Sequence, residues 1–545
     1  MSKVAHYLQE HLVGEVLTSA DARRYFSTDG GVFSVTPALV VYPQNEKDVR
    51  KTARFTWQLA ERGRVIPITA RGLGTDQAGA AIGSGIVMVF PSHMNRILEL
   101  DGKTGQVTIE PGINYGKLQQ TLHTHGRFLP PFPSSMEIST VGGAIANNAG
   151  GEKSIKYGNT KQYVQSLRVV LANGEIIETK RLSKRELSKK MGLSTFEGEI
   201  YRSLDALFEE NKQLIESMAL DVTKNSAGYN LIDVKRKDGS FDLTPLFVGS
   251  QGTLGIVTEA VLSTEAHNPN TTLIAAFFDD LSVAEEVIAS LRNLPDVPSA
   301  IEVVDENLLN FLDSHYPNQL KGIVDRPFHK LIVLIEFDNA NVRTQKRLSK
   351  KAQKILSKNQ VTYVVETEEH SKERLWKIRH SAAAVISHSE GNLKALPIIE
   401  DGIVPPDRFH DYIKGVYSLF EKYNLKAAVW GHAGNANLHM QPFLDLGQVG
   451  DRQKVFKLTE EYYDMVIGMG GSTSGEHSDG RLRAPFLPKL YGSEVYGLLQ
   501  KVKQVFDPYN TLNPGVKINV TTDDIKPLLR HEYSMDHLLD HLPGV

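Results

Sequence analysis

Two histidines bracket a run of small and amide residues at Gly431-His432-Ala433-Gly434-Asn435-Ala436-Asn437-Leu438-His439, and Gly475-Glu476-His477-Ser478-Asp479-Gly480 sets a carboxylate beside a third imidazole on a glycine-rich turn. Imidazole nitrogens and carboxylate oxygens are the donors of catalytic metal sites. An imidazole not engaged by metal can move a proton near neutral pH. Together the two stretches could hold a metal ion and a base.

A second kind of chemistry is suggested earlier in the chain. Arg71-Gly72-Leu73-Gly74-Thr75-Asp76-Gln77-Ala78-Gly79 lies between apolar runs 65–69 and 86–90. It is not a dinucleotide fingerprint, because the third glycine comes too late and a strand follows where a Rossmann unit needs a helix. What remains is a glycine-rich loop between strands whose bare N–H groups can cradle phosphate. A second loop runs from Pro133-Ser134-Ser135 through Thr140-Val141-Gly142-Gly143 and Asn147-Asn148 to Gly150-Gly151, with Gly158 beyond. So many glycines among Ser, Thr and Asn suit close backbone approach to a large planar ligand bearing phosphates.

The elements that must position these residues are α+β. Residues 1–30 read as an N-terminal helical extension. Residues 31–267 form a first domain with a strand at 38–43, a helix from Asn45 to about Arg62, a hairpin about Asn173-Gly174, a polar helical insertion at 183–220 and a strand over 245–258. From Thr271 the order is strand, helix, strand, strand, helix, strand through about Val365, the ferredoxin-like βαββαβ unit, which would cap the first domain. A helix at 371–388 carries Arg379, and Lys394 follows it. This second domain runs over 268–519, and the tail 520–545 is expected to dock as a helix.

Composition narrows the partners. The chain has 545 residues, enough for two or three domains on the usual ~100–200 each, and its 41% hydrophobic and 23% charged residues are ordinary for a globular protein. A net charge of −3 gives no basic field for nucleic acid. No apolar run approaches the ~20 residues that span a bilayer. A cytoplasmic protein is expected, with peripheral docking at the inner face of the membrane left open. Zero cysteines excludes disulfides, thiolate metal ligands and cysteine-ligated iron–sulfur clusters.

The motifs at 71–79, 133–151, 249–258, 431–439 and 475–480, with Asn513-Pro514-Gly515, resemble the FAD-linked D-2-hydroxyacid dehydrogenases of the vanillyl-alcohol oxidase type, the group of D-lactate dehydrogenase, the glycolate oxidase flavin subunit and D-2-hydroxyglutarate dehydrogenase. The match covers roughly residues 30–518. The resemblance implies a PCMH-type FAD-binding domain followed by the cap and a C-terminal segment that returns to the flavin. It implies that Arg71, Gly72, Leu73, Gly74, Thr75 and Asp76 wrap the pyrophosphate. Pro133, Ser134, Ser135, Thr140, Gly142, Gly143, Asn147, Asn148, Gly151 and Gly158 would line the ribityl and flavin-ring region, with Ile256, Val257 and Asn513 also on the cofactor. It further implies that His432, His439 and Glu476 hold a divalent metal, usually zinc, that Asn437 and His477 stand beside the substrate, and that Arg379 and Lys394 clamp its carboxylate.

These residue types suit oxidation of a 2-hydroxy acid, which must lose a hydroxyl proton and a carbon-bound hydride. A metal on the hydroxyl oxygen lowers the alkoxide cost by several kcal/mol, and a neutral imidazole, His477, takes the proton. A straight strand would put His432 and His439 on opposite faces, so residues 433–436 must turn the chain. Relatives usually have Asp-Gly where Asn435-Ala436 stands, glutamate at Gln251 and glycine at Ser478. Ala383, one turn after Arg379, lacks a hydroxyl that members acting on diacids can use, which leans the expectation toward D-lactate, with D-2-hydroxyglutarate or glycolate as alternatives. The electrons must leave to an external acceptor: a cytochrome, a quinone, an electron-transfer flavoprotein, a separate iron–sulfur subunit or oxygen. A zinc hydrolase and a non-catalytic flavin-binding module are the competing readings, separable by the colour of the protein and by flavin bleaching with substrate.

Overall fold

The computed structural model of the protein describes residues 2–382, 385, 389–535 and 538. Its first domain has two main sheets. Strands Leu39–Tyr42, Ile86–Val89 and Ile68–Arg71 run parallel in that spatial order, and Glu15–Leu17 adds an antiparallel edge beside Leu39–Tyr42. The first 30 residues are therefore part of this layer and not only a helical extension. The parallel strands are almost wholly buried, as their unbroken Val and Ile runs require. Helix Glu46–Ala60, capped by Asn45, covers them.

The second sheet is antiparallel, in the order Ile97–Asp101, Gln106–Ile109, Ile256–Ser263, Val164–Val170, Ile176–Thr179. The expected hairpin closes it, with Gly174 at φ 82°. The strand expected over 245–258 begins only at Ile256. Thr244–Phe247 is a helical turn instead, because Pro245 sits where a first helical turn accepts proline and Gln251 and Gly252 then take positive φ.

The second domain is built on a six-stranded antiparallel sheet in the order Thr362–Glu366, Thr272–Phe278, Leu331–Phe337, Ala300–Asp305, Val429–His432, Asn437–Met440. The first four are the ferredoxin-like unit, and the last two are a hairpin that extends it with the paired histidines. Alternation divides each strand between two faces. Ile301 and Val303 pack under helices Leu281–Arg292 and Val342–Lys358, while Val304, Leu334 and Trp430 pack under Glu306–His315 and Glu369–His380. Glu302, Glu336, His432 and His439 share that second face, which turns toward the first domain.

The helix expected over 371–388 is seen as Glu369–His380, and Ala383 lies outside the described residues. The tail forms short helical turns at Thr522–Ile525 and Lys526–Leu528. It then docks on the first domain through Arg530 N to Val32 O at 2.9 Å and Tyr533 Oη to Gly30 O at 2.9 Å. Most of the residues beyond Met535, over which a docked helix is expected, lie outside the described residues. No described helix is long and apolar enough to cross a membrane.

Candidate active site

A cavity of about 1070 Å³ separates the two domains, with the glycine loops on one side and the histidine cluster on the other. Residues 71–76, Pro133, Ser134, Ser135, Thr140, Gly142, Gly143, Asn147, Gly151, Ile256 and Val257 are on its wall. Its backbone is tightly packed. A Cβ on Gly72 would lie 2.3 Å from Thr140 Oγ1, and one on Gly151 would lie 2.0 Å from Phe132 O. Thr140 caps helix Val141–Asn147 through Gly143 N, and Asp76 accepts from Ala78 N, Ala80 N and the Asn147 side chain, tying the two loops together.

Four residues expected at the ligands stand behind the wall. Asn148 is a left-handed helix cap bonded to Ser226, and Gly158, at φ 74°, packs on Gln162. Asn513 ties Thr69, Ala80 and Gln251 together. Asn437 is fully buried opposite His432 and gives its amide to Gly402 O at 3.0 Å, while its Oδ1 has no partner among the described residues. Arg71 is on the wall, yet its Nη1 donates to Thr28 O and Ala81 O, so it holds the loop from behind.

On the opposite wall residues 433–436 do turn the chain: Ala433–Asn435 is a 3₁₀ turn and Ala436 is left-handed at φ 55°. The turn sets His439 across from Trp430 and brings the rings of His432 and His439 to 5.1 Å, edge to face. Their Nε2 atoms lie 3.0 and 3.2 Å from one oxygen, Glu476 Oε1, with His477 Nε2 at 3.8 Å. Behind the rings stand two buried glutamates. Glu302 accepts from His432 Nδ1 at 2.7 Å and from Arg379 Nε at 2.8 Å. Glu400 pairs with Nδ1 of His439 at 3.3 Å and of His477 at 2.7 Å, and with Arg483.

Charge sets the protonation of this cluster. Burial works against ionisation of Glu476, but Lys224 and His432 hold it well below the usual carboxylate range. Glu400 is also depressed, by His477 and Arg483. Burial would strip the proton from His432, yet Glu302 and Glu476 raise its pKa. His477 is likewise lowered by burial but lifted to about 9 by Glu400 and Asp401.

The residues fit the groups the sequence implied. Ligands ~2.1 Å from one ion stand roughly 3–3.5 Å apart, as the Nε2 atoms and Glu476 Oε1 do. Each ligand histidine also has its Nδ1 on a carboxylate, the arrangement that frees Nε2 for metal. For the flavin, the glycine backbone walls a cavity that also bears the unpartnered buried Ser139 Oγ and Arg71 Nε. Glu302, Glu400, Lys224 and Arg483 were missed from sequence. For Glu302 the signal was present, a charge in the middle of the apolar run of the buried strand Ala300–Asp305.

Residues 267–516 match the FAD linked oxidases, C-terminal domain, and residues 37–180 match the FAD binding domain. The glycolate oxidase subunit GlcD of Bacillus subtilis (strain 168) is 30% identical over 483 residues, 88% of each chain. The chain belongs to the FAD-linked oxidases. It is also 31% identical over 524 residues to D-2-hydroxyglutarate dehydrogenase of Escherichia coli (strain K12), 93% of this chain and 50% of that protein. The chain thus spans about half the length of the D-2-hydroxyglutarate dehydrogenases it matches. Among solved structures, 4-ethylphenol oxidase from Gulosibacter chungangensis superposes with a TM-score of 0.67 at 14% identity, over 96% of this FAD-linked oxidase and 98% of that chain. The shared fold is the PCMH-type FAD-binding domain with its second domain, as the motifs implied.

Proposed function

We propose that this FAD-linked oxidase oxidises a small D-2-hydroxy acid, D-lactate to pyruvate in the first instance, and passes the two electrons to an external acceptor. The observation that carries the reading is a single cavity holding the glycine loops, the three converging imidazoles and two basic groups, Arg379 and Lys394. The relatives' names, glycolate oxidase subunit and D-2-hydroxyglutarate dehydrogenase, support the 2-hydroxy acid class.

Among the described residues Arg379 is held by Glu302 through Nε and Lys394 has no ion-pair partner, so the Arg379 Nη atoms and Lys394 would take the substrate carboxylate. Three other cations lining the cavity are already paired: Lys153 with Glu336, Lys372 with Glu369 and His380 with Glu152. One carboxylate is thus provided for and a second is not, which favours D-lactate over a diacid. The glycine-loop wall would hold FAD, which would supply the two-electron acceptor, and His432, His439 and Glu476 would hold a divalent cation, which would supply polarisation of the substrate hydroxyl. His477, lowered by burial but lifted to about 9 by the carboxylates around it, is not the neutral imidazole expected. A cation bound beside it would offset that negative charge, so that the ring sheds its proton and Nε2 can receive the hydroxyl proton, while Glu400 on Nδ1 holds the ring in place. The products balance as pyruvate, a reduced flavin and a protonated imidazole.

The test is anaerobic bleaching of the flavin by D-lactate, glycolate, D-2-hydroxyglutarate and the L-enantiomers. D-lactate should bleach it fastest and L-lactate not at all. Faster bleaching by D-2-hydroxyglutarate would overturn the substrate choice, and no bleaching by any acid would overturn the reaction. Colourless protein with stoichiometric zinc would favour the hydrolase.

A further inference from the structure

Glu302 enters a fully buried strand beside apolar Val304 and Leu334, on the face it shares with Glu336, His432 and His439. It is 1% exposed. A carboxylate so placed costs several kcal/mol unless paired, and its two oxygens are divided between two different tasks. Oε1 accepts from His432 Nδ1 at 2.7 Å, and Oε2 accepts from Arg379 Nε at 2.8 Å. We propose that Glu302 is a positioning residue that locks the metal-binding edge and the carboxylate-binding edge of the site to one another. The inference rests on the function proposed above.

The geometry gives each bond a consequence. With Nδ1–H donated to Glu302, His432 presents Nε2 toward Glu476 and His439, where an ion would lie. With Nε held by Glu302, the Arg379 guanidinium is fixed on the cavity wall at the end of helix Glu369–His380. The strand between them fixes the spacing of the two edges. A 2-hydroxy acid needs the two edges close together, its hydroxyl oxygen and carboxylate being on adjacent carbons.

Glutamine at 302 cannot do both, because it offers one acceptor oxygen and one donor where two donors arrive from different sides. In E302Q, Zn²⁺ uptake by the FAD-loaded protein, followed by calorimetry, should weaken at least ~10-fold, and KM for D-lactate should rise by a similar factor with FAD content unchanged. A purely structural role would lower Tm and FAD content together but leave both readouts of the folded fraction alone. Effects within twofold on both overturn the proposal, and so does an effect on only one, which would reduce Glu302 to a partner of that residue. Should E302Q not fold, E302D tests the same point, since it keeps the charge but cannot reach both donors. If the unsubstituted chain takes up no Zn²⁺, the metal site itself falls, and the lock with it. If it takes up Zn²⁺ and E302Q does so equally, only the lock falls.

Discussion

The cavity has two walls of opposite construction. On the first domain it is backbone: glycines at 72, 142, 143 and 151, with a threonine cap and an Asp76–Asn147 bond between loops. On the second it is side chain: three imidazoles and Arg379 held from behind by Glu302 and Glu400. Backbone suits a ligand that is always the same, because tight loops fix shape and little else. Charged side chains suit a step in which a proton and a substrate come and go, because their protonation can change without moving the chain. The difference predicts that the two walls fail separately.

Removing one side chain of the cap wall should give the largest effect. His477→Ala should slow flavin reduction at least ~100-fold, the scale of general-base catalysis, while the protein stays yellow. Stopped-flow reduction by D-lactate measures the first and the flavin absorbance the second. Loss of colour in this variant would mean that the walls are not independent. Gly151→Ala attacks the other wall, its Cβ falling 2.0 Å from the Phe132 carbonyl oxygen, a backbone atom that cannot swing aside. Overpacking of this kind costs ~1–3 kcal/mol, so FAD affinity should fall about 10–100-fold. Zn²⁺ uptake should persist. A G151A protein that keeps its flavin and loses zinc would invert the comparison.

The two walls were also unequally legible in the sequence. Glycine loops announce themselves by local composition, and the βαββαβ order follows from periodicity, so the first wall and the cap sheet could be placed without coordinates. The turn between His432 and His439 was required by strand alternation and is made by Ala436 at φ 55°. Ser478, standing where glycine is usual, also takes positive φ, at 61°, and its hydroxyl donates to Ser226 O and Gly249 O. What could not be read is which loop residues face the cavity. Asn147 and Asn148 are neighbours of one type, yet only Asn147 is on the wall, because Asn148 ends the helix in the left-handed conformation. Nor do ion pairs spanning 130 residues, such as Glu302 with His432, follow from any local pattern. They exist only once the sheet has placed two distant strands side by side.

The seam between the walls should show the smallest effect. Glu152, next to Gly151, pairs with His380, next to Arg379, at 2.9 Å. Burial would raise Glu152, but His380 holds it down to about 2. His380 is lowered by burial and raised further by Glu152, ending above its ordinary value. The carboxylate's share of the stability is present above the unfolded pKa of ~4.3 and is lost as pH falls through about 2. The imidazole's share is full below ~6.5 and is lost as pH rises through its elevated folded value. The pair is therefore strongest between these limits and fades on the alkaline side. The His380 side chain is 56% exposed, so water screens the pair and its worth stays within the ~0–1 kcal/mol of open ion pairs. In a chain of 545 residues that is a Tm change of at most about 1 °C. The gap in Tm between the parent and H380Q should be widest near pH 6 and close as pH approaches 9. A gap that is flat or widens with pH would mean that the Glu152–His380 pair contributes nothing electrostatic to the seam, which would then rest on packing and on the other pairs across it, such as Lys153 with Glu336.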